Sequence, residues 1–137
     1  MRKFLIATHG TFAGGIKSSV DLILGESENV FLIQAYTEGN KSLQEEIMEV
    51  LNQVQSKDEL IVFTDLMGGS ITNQILQHAM KENVFIIAGI NLPLLLDIML
   101  ADPEIPILEA IETGIENAKE QIVFVNKLIN SSKEDYD

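Results

Sequence analysis

Short apolar runs alternate along the chain with longer segments whose apolar residues recur every three or four positions. The runs are Phe4-Leu5-Ile6-Ala7, Asn29-Val30-Phe31-Leu32-Ile33, Leu60-Ile61-Val62-Phe63 and Val84-Phe85-Ile86-Ile87-Ala88. They are too short for helices and mostly apolar, which predicts strands of a parallel sheet covered on both faces. Between them, Ile16, Val20, Ile23 and Leu24 mark a helix closed by Gly25. Leu43, Ile47, Val50, Leu51 and Val54 mark a second, opened by Ser42 with Glu45 in capping-box position. Ile71, Ile75, Leu76 and Ala79 form the stripe of a third, for which Ser70 is the expected N-cap. Pro93 suits the first turn of a fourth helix. Leu94 through Leu100 is apolar nearly all round, which predicts burial or a subunit interface. Pro103 and Pro106 end that helix, and Leu108, Ile111, Ile115 and Ala118 mark a fifth. Ile122-Val123-Phe124-Val125 reads as a last strand, whose direction the pattern does not give.

This order predicts an α/β protein with an open, doubly wound sheet. The connections after the first four strands are long enough for right-handed crossovers, so those strands should run parallel. No repeat or low-complexity linker interrupts the pattern. Residues 1–128 are expected to form one domain, and 129–137 a charged tail that frays.

In such a sheet, ligands bind outside the carboxyl ends of the strands, where the strand order reverses. Thr8-His9-Gly10 follows the first run and Asp65-Leu66-Met67-Gly68-Gly69-Ser70 the third. If these strands are neighbours, a histidine, an aspartate and a glycine-serine turn meet there. A neutral imidazole is both a good nucleophile toward phosphorus and a good leaving group, so His9 suits a group that is accepted and passed on. It would need an acceptor for its second ring nitrogen, and Asp65 is the candidate. Gly68 and Gly69 let backbone amides approach an anion, and a helix starting at Ser70 adds its positive end and a hydroxyl. Thr8 and Thr11 flank His9 as further donors. The same residues also read as ordinary caps of turns and loops, and pattern alone leaves both readings open.

The formal charge of −12 argues against nucleic acid, whose phosphates require Lys and Arg, and favours a basic protein partner. Cysteine is absent, which excludes disulfides and thiolate metal sites and fits a cytoplasmic protein. No apolar run is long enough to span a membrane. The short run after Arg2-Lys3 is interrupted by Thr8-His9-Gly10, unlike a signal peptide. With two histidines and no His-Glu-x-x-His arrangement, no metal site is expected, and His78 reads as a solvent-facing helix residue. Gly10 through Lys17 fails as a P-loop because Ile16 stands where lysine is required.

Taken together, Thr8-His9-Gly10, Asp65 with Gly68-Gly69-Ser70, and Gly89-Ile90-Asn91-Leu92-Pro93 resemble the IIA domain of the mannose-family phosphoenolpyruvate:sugar phosphotransferase system. The likeness runs from Met1 to about Leu128, in the family's order. It implies that His9 accepts a phosphoryl group from the phosphocarrier HPr and passes it to a IIB component. IIB would then phosphorylate a sugar moving through a membrane IIC/IID complex. Asp65 would orient His9, while Gly68, Gly69 and Ser70, with Thr8 and Gly10, would hold the phosphoryl group. Phe12 and Met67 would form an apolar rim for partners. Thr11 and Met67 stand where the family has bulkier side chains. No cofactor is implied. The family forms homodimers that often exchange a C-terminal strand, here Ile122–Val125, antiparallel to the rest. The chain's end soon afterward leads us to expect IIB as a separate polypeptide. A module that senses phosphate or HPr without passing anything on, and a phosphate-binding protein that is never phosphorylated, are the competing expectations.

Overall fold

The computed structural model describes residues 1–37, 39 and 41–136, with 131–136 as backbone only. The chain divides into two compact units between Leu92 and Pro93. The first unit contains strands β1 (Arg2–His9), β2 (Val30–Ala35), β3 (Glu59–Thr64) and β4 (Val84–Ala88). Helices α1 (Phe12–Leu24), α2 (Leu43–Leu51) and α3 (Ser70–Ala79) connect them. The strands form one sheet, parallel as the run pattern predicts, in the order β2-β1-β3-β4.

The chain steps outward from β1 to β2, then crosses back over β1 to β3. With right-handed crossovers, α1 covers one face and α2 and α3 the other. Leu5, Ala7, Ile33, Ala35, Leu60 and Val62 face α2 and α3, packing with Ile47, Val50, Leu51, Ile71 and Ile75 in one cluster. The alternate residues serve the other face, where Phe4 and Phe63 stack at 6.2 Å and α1 buries Ala13, Ile16 and Val20. Two-sided burial is the physical reason these strands read as unbroken apolar runs. The helix-end signals also act as expected. Ser42 Oγ accepts the Glu45 amide at 3.2 Å, and Gly25, at φ +85°, ends α1 by donating to Asp21 O.

The second unit contains α4 (Leu92–Leu100), α5 (Ile107–Glu120) and α6 (Val125–Tyr136). α4 buries Leu94, Leu95 and Ile98. The inner face of α5 differs from the expected one. Ile107, Ala110, Gly114 and Ala118 are buried, while Leu108 is 62% exposed. Size decides this: a Cβ on Gly114 would lie 2.9 Å from Ile98 Cγ1, so α5 turns its small residues toward α4.

One expectation near the end is corrected. Ile122–Phe124 lie outside helix and strand, and Val125 opens α6 instead of ending a strand. The amides of Lys127 and Leu128 both bond to Phe124 O, and Val125, Leu128 and Ile129 share helical spacing. A run of four apolar residues suits either element, and without a neighbouring strand the local helical bonds prevail. The stretch expected to fray continues as α6 through Tyr136; Asp137 lies outside the described residues.

Candidate functional site

The strand order reverses between β1 and β3, so their carboxyl ends form the switch point. The register of this pair ends at Ala7 and Thr64. The next β1 amide on that side belongs to His9, and the Asp65 carboxylate receives it: His9 N donates to Asp65 Oδ2 at 2.8 Å. The same oxygen lies 2.9 Å from His9 Nδ1. Gly10, at φ +59°, then turns the chain and donates to Ala35 O on β2.

Burial raises the Asp65 carboxyl, but the His9 amide, the His9 ring bond and the ring's charge outweigh it and hold the group below the ordinary carboxylate range. Asp65 is therefore ionised at neutral pH and can only accept hydrogen bonds. Nδ1 must carry the proton, which leaves the Nε2 lone pair free. The His9 side chain is 41% exposed against 12% for Asp65, so the ring is anchored on its inner side and open on its outer side.

α3 starts beside this ring. A Cβ on Gly69 would lie 3.7 Å from His9 Cε1. Gly68, at φ +75°, makes the bend into the helix, a conformation that suits glycine. The expected N-cap is corrected by one position. Gly69 is the cap, since its carbonyl accepts the Asn73 amide, and Ser70 is the first helical residue. Ser70 is thus spared from capping, and its hydroxyl lies 2.7 Å from Tyr36 Oη. Among the described residues, no side-chain cap bond closes the start of α3, an arrangement that suits an anion.

α1 contrasts with it. The fully buried Thr8 accepts the Ala13 amide at 2.8 Å, and Gln34 Oε1 accepts the Gly14 amide at 3.1 Å. The Thr8 hydroxyl thus supports the first turn of α1. Phe12 and Met67 are 48% and 82% exposed near the same strand ends, and Leu66, at 56%, joins them. His78 is half-buried in the last turn of α3, at the other end of the helix from Ser70. Among the described residues, no group of three His, Cys, Asp or Glu side chains could hold a metal ion, and no helix is long and apolar enough to cross a membrane.

Sequence reasoning missed Tyr36, Gln34 and Thr72. Tyr36 follows β2 directly and lies beside His9, with ring centroids 5.7 Å apart. Its place after a strand's carboxyl end was the available signal. Thr72 bridges the Thr64 hydroxyl at 2.8 Å and Leu66 O at 2.7 Å, pinning the loop that carries Asp65. No signal in the sequence marks that bridge.

Residues 3–125 match the family model for the PTS system fructose IIA component (EIIA-man). The PTS system fructose-specific EIIA component of Bacillus subtilis (strain 168) is 30% identical over 101 residues, covering 72% of this chain and 69% of that one. The PTS system mannose-specific EIIAB component of Escherichia coli (strain K12) is 30% identical over 122 residues. That match covers 84% of this chain but 38% of the relative, so the chain spans well under half of that protein's length. A crystal structure from Klebsiella pneumoniae, assigned to the phosphoenolpyruvate-dependent sugar phosphotransferase system, superposes with a TM-score of 0.87 at 33% identity over 93% of both chains. The chain belongs to the mannose/fructose family of phosphotransferase-system IIA components.

Proposed function

We propose that this IIA component is a histidine phosphocarrier, taking a phosphoryl group from HPr onto His9 Nε2 and handing it to a IIB component for sugar uptake. The observation that carries this reading is the Asp65 carboxylate on His9 Nδ1, with Nε2 left open to solvent. The Nε2 lone pair attacks phosphorus. The N–P bond forms as the bond to the donor breaks, and the donor keeps that electron pair. The Nδ1 proton stays shared with Asp65, which stabilises the ring as it gains positive character.

Phosphoryl transfer asks mainly for positioning and charge stabilisation. The uncapped amides of α3, from Ser70 onward, and the Ser70 hydroxyl supply donors to the phosphoryl oxygens, with Gly68, Gly69 and Gly10 shaping the approach. Phe12, Met67 and Leu66 form the rim on which HPr and IIB land in turn, competing for one nitrogen. The acidic surface steers basic partners toward it. This reading requires no metal or organic cofactor. The match over residues 3–125 supports 1–128 as the working domain. We place the protein in the cytoplasm with its partners, with a membrane IIC/IID complex further down the chain of transfer.

We also propose a homodimer. Ile122, Phe124, Val125 and Leu128 are 78%, 73%, 55% and 58% exposed in the single chain, an apolar stretch that a second copy would cover. Light scattering showing only monomer at micromolar concentration would overturn it.

The deciding experiment supplies phosphoenolpyruvate, enzyme I and HPr and compares wild type with His9→Ala by intact mass. One acid-labile phosphate on wild type, absent from the variant and discharged by IIB, is the expected result. No phosphate on wild type with active partners overturns the carrier reading and favours a sensing module.

A further inference from the structure

Tyr36 is, among the described residues, the one non-glycine with a left-handed backbone, at φ +62°. A bulky side chain adopts that conformation at a steric cost, because its Cβ crowds the carbonyl. Burial does not offset this cost, since Tyr36 is 66% exposed. The side chain is instead committed to two contacts. Its hydroxyl lies 2.7 Å from Ser70 Oγ, and its ring lies 5.7 Å from the His9 ring, tilted by 39°. Tyr36 thus leaves the end of β2 and reaches the first residue of α3, passing beside the histidine at the end of β1.

We propose that Tyr36 is a positioning residue of the phosphohistidine site. It orients the Ser70 hydroxyl toward the phosphoryl group and walls one side of His9; this rests on the phosphocarrier reading above. The chemistry of the pair sets the direction. A phenol is more acidic than an aliphatic alcohol, so Tyr36 donates and Ser70 Oγ accepts. The single Ser70 proton is then free to point at an anionic oxygen, and the donated bond polarises it in that direction. Without the Tyr36 hydroxyl, that bond no longer fixes the direction of the Ser70 hydroxyl. Strain retained at an exposed position is what such a role predicts, because the backbone serves the placement of one hydroxyl rather than packing.

The test uses Tyr36→Phe, which keeps the ring and the backbone and removes only the hydroxyl, together with Ser70→Ala and the double variant. Two properties are read on each: the rate of phosphoryl transfer through His9, and the ³¹P resonance of the phosphorylated protein. The expected result is transfer about tenfold slower in Tyr36→Phe, the size of one hydrogen bond to a charged group, with a shifted ³¹P resonance and an unchanged melting midpoint. Tyr36→Phe should add nothing further in the Ser70→Ala background. A purely structural role would move the midpoint and leave the resonance in place, and that outcome overturns the proposal. So do additive effects of the two substitutions, or wild-type rates and resonance in Tyr36→Phe. A wild type that takes no phosphoryl group is a separate result: it sinks the carrier reading, and this inference with it.

Discussion

One carboxylate oxygen of Asp65 meets both the backbone amide and the ring Nδ1 of His9, at 2.8 and 2.9 Å. The main chain and side chain of the histidine are therefore located by a single atom. The strand ladder no longer supplies an acceptor at this point, so the bond that satisfies the backbone also sets the tautomer.

Replacing Asp65 with Asn keeps the size of the side chain but removes the obligate acceptor, and the amide can equally offer a donor to Nδ1. Transfer through His9 should fall by about a hundredfold, the range seen when partners that orient a functional histidine are removed. Rapid-quench measurement with phosphorylated HPr checks this. A rate within twofold of wild type would remove Asp65 from the mechanism.

Acid should destabilise the protein through Asp58. The Gln55 amide at 2.9 Å and the Lys3 ammonium at 2.9 Å hold its carboxyl at about 2, below the ordinary 3.8. A depressed native value means that the stabilisation is fully present above the unfolded value and is lost as pH falls from about 4 toward 2. Asp65 acts in the same direction. Urea midpoints measured across that window should drop, and Asp58→Asn should flatten the slope.

Gly68 and Gly69 are neighbours with opposite sensitivities. Gly68→Ala places a Cβ on a residue at φ +75° and should cost roughly 1–2 kcal/mol. Gly69 has φ −74°, and a Cβ there meets neighbours at 3.5 Å or more, so Gly69→Ala carries no steric penalty and should cost only about 0.5–1 kcal/mol, for exchanging a good N-cap residue for a poor one. Its methyl group would nevertheless stand beside His9 Cε1 and slow transfer. Urea melts and transfer rates on both variants separate the two effects.

Gly114→Ala should destabilise the second unit. The new methyl would meet Ile98 Cγ1 at 2.9 Å inside a packed interface. Overpacking of this kind costs about 1–3 kcal/mol, against a gain of up to about 1 kcal/mol in helix propensity. A net loss in thermal stability is expected, and Ile98→Val should not rescue it, because valine keeps the carbon at the Cγ1 position that the new methyl meets and loses only Cδ1, at 3.4 Å. No loss would mean that the α4–α5 contact yields freely.

The sheet was legible in the chain, and so were the two residues, His9 and Asp65, that meet at its carboxyl edge. Leu60 through Phe63, apolar at every position and set between helix-period segments, reads as a strand covered on two faces, and the crossovers between such strands make them parallel. A histidine and an aspartate placed just past the ends of the first and third runs then had one place to meet. The helix ends were less legible. Ser70 looked like a cap by residue type, yet Gly69 takes that position because the bend at Gly68 brings its carbonyl, one residue earlier, under the Asn73 amide.

By itself, the sequence determined what depends on periodicity and local chemistry: the four strands of the sheet, their direction, the two-sided core, and a histidine and an aspartate at two strand ends that meet if those strands are neighbours. Tertiary structure alone decided what depends on distance between remote residues and on side-chain size. Tyr36 reaches Ser70 across 34 positions, and Gln34 reaches Gly14 across 20. α5 turned Gly114 inward because Ile98 left no room for a larger residue. Ile122–Val125 yielded its last residue to a helix because a strand needs a neighbour to pair with, while a helix bonds to itself.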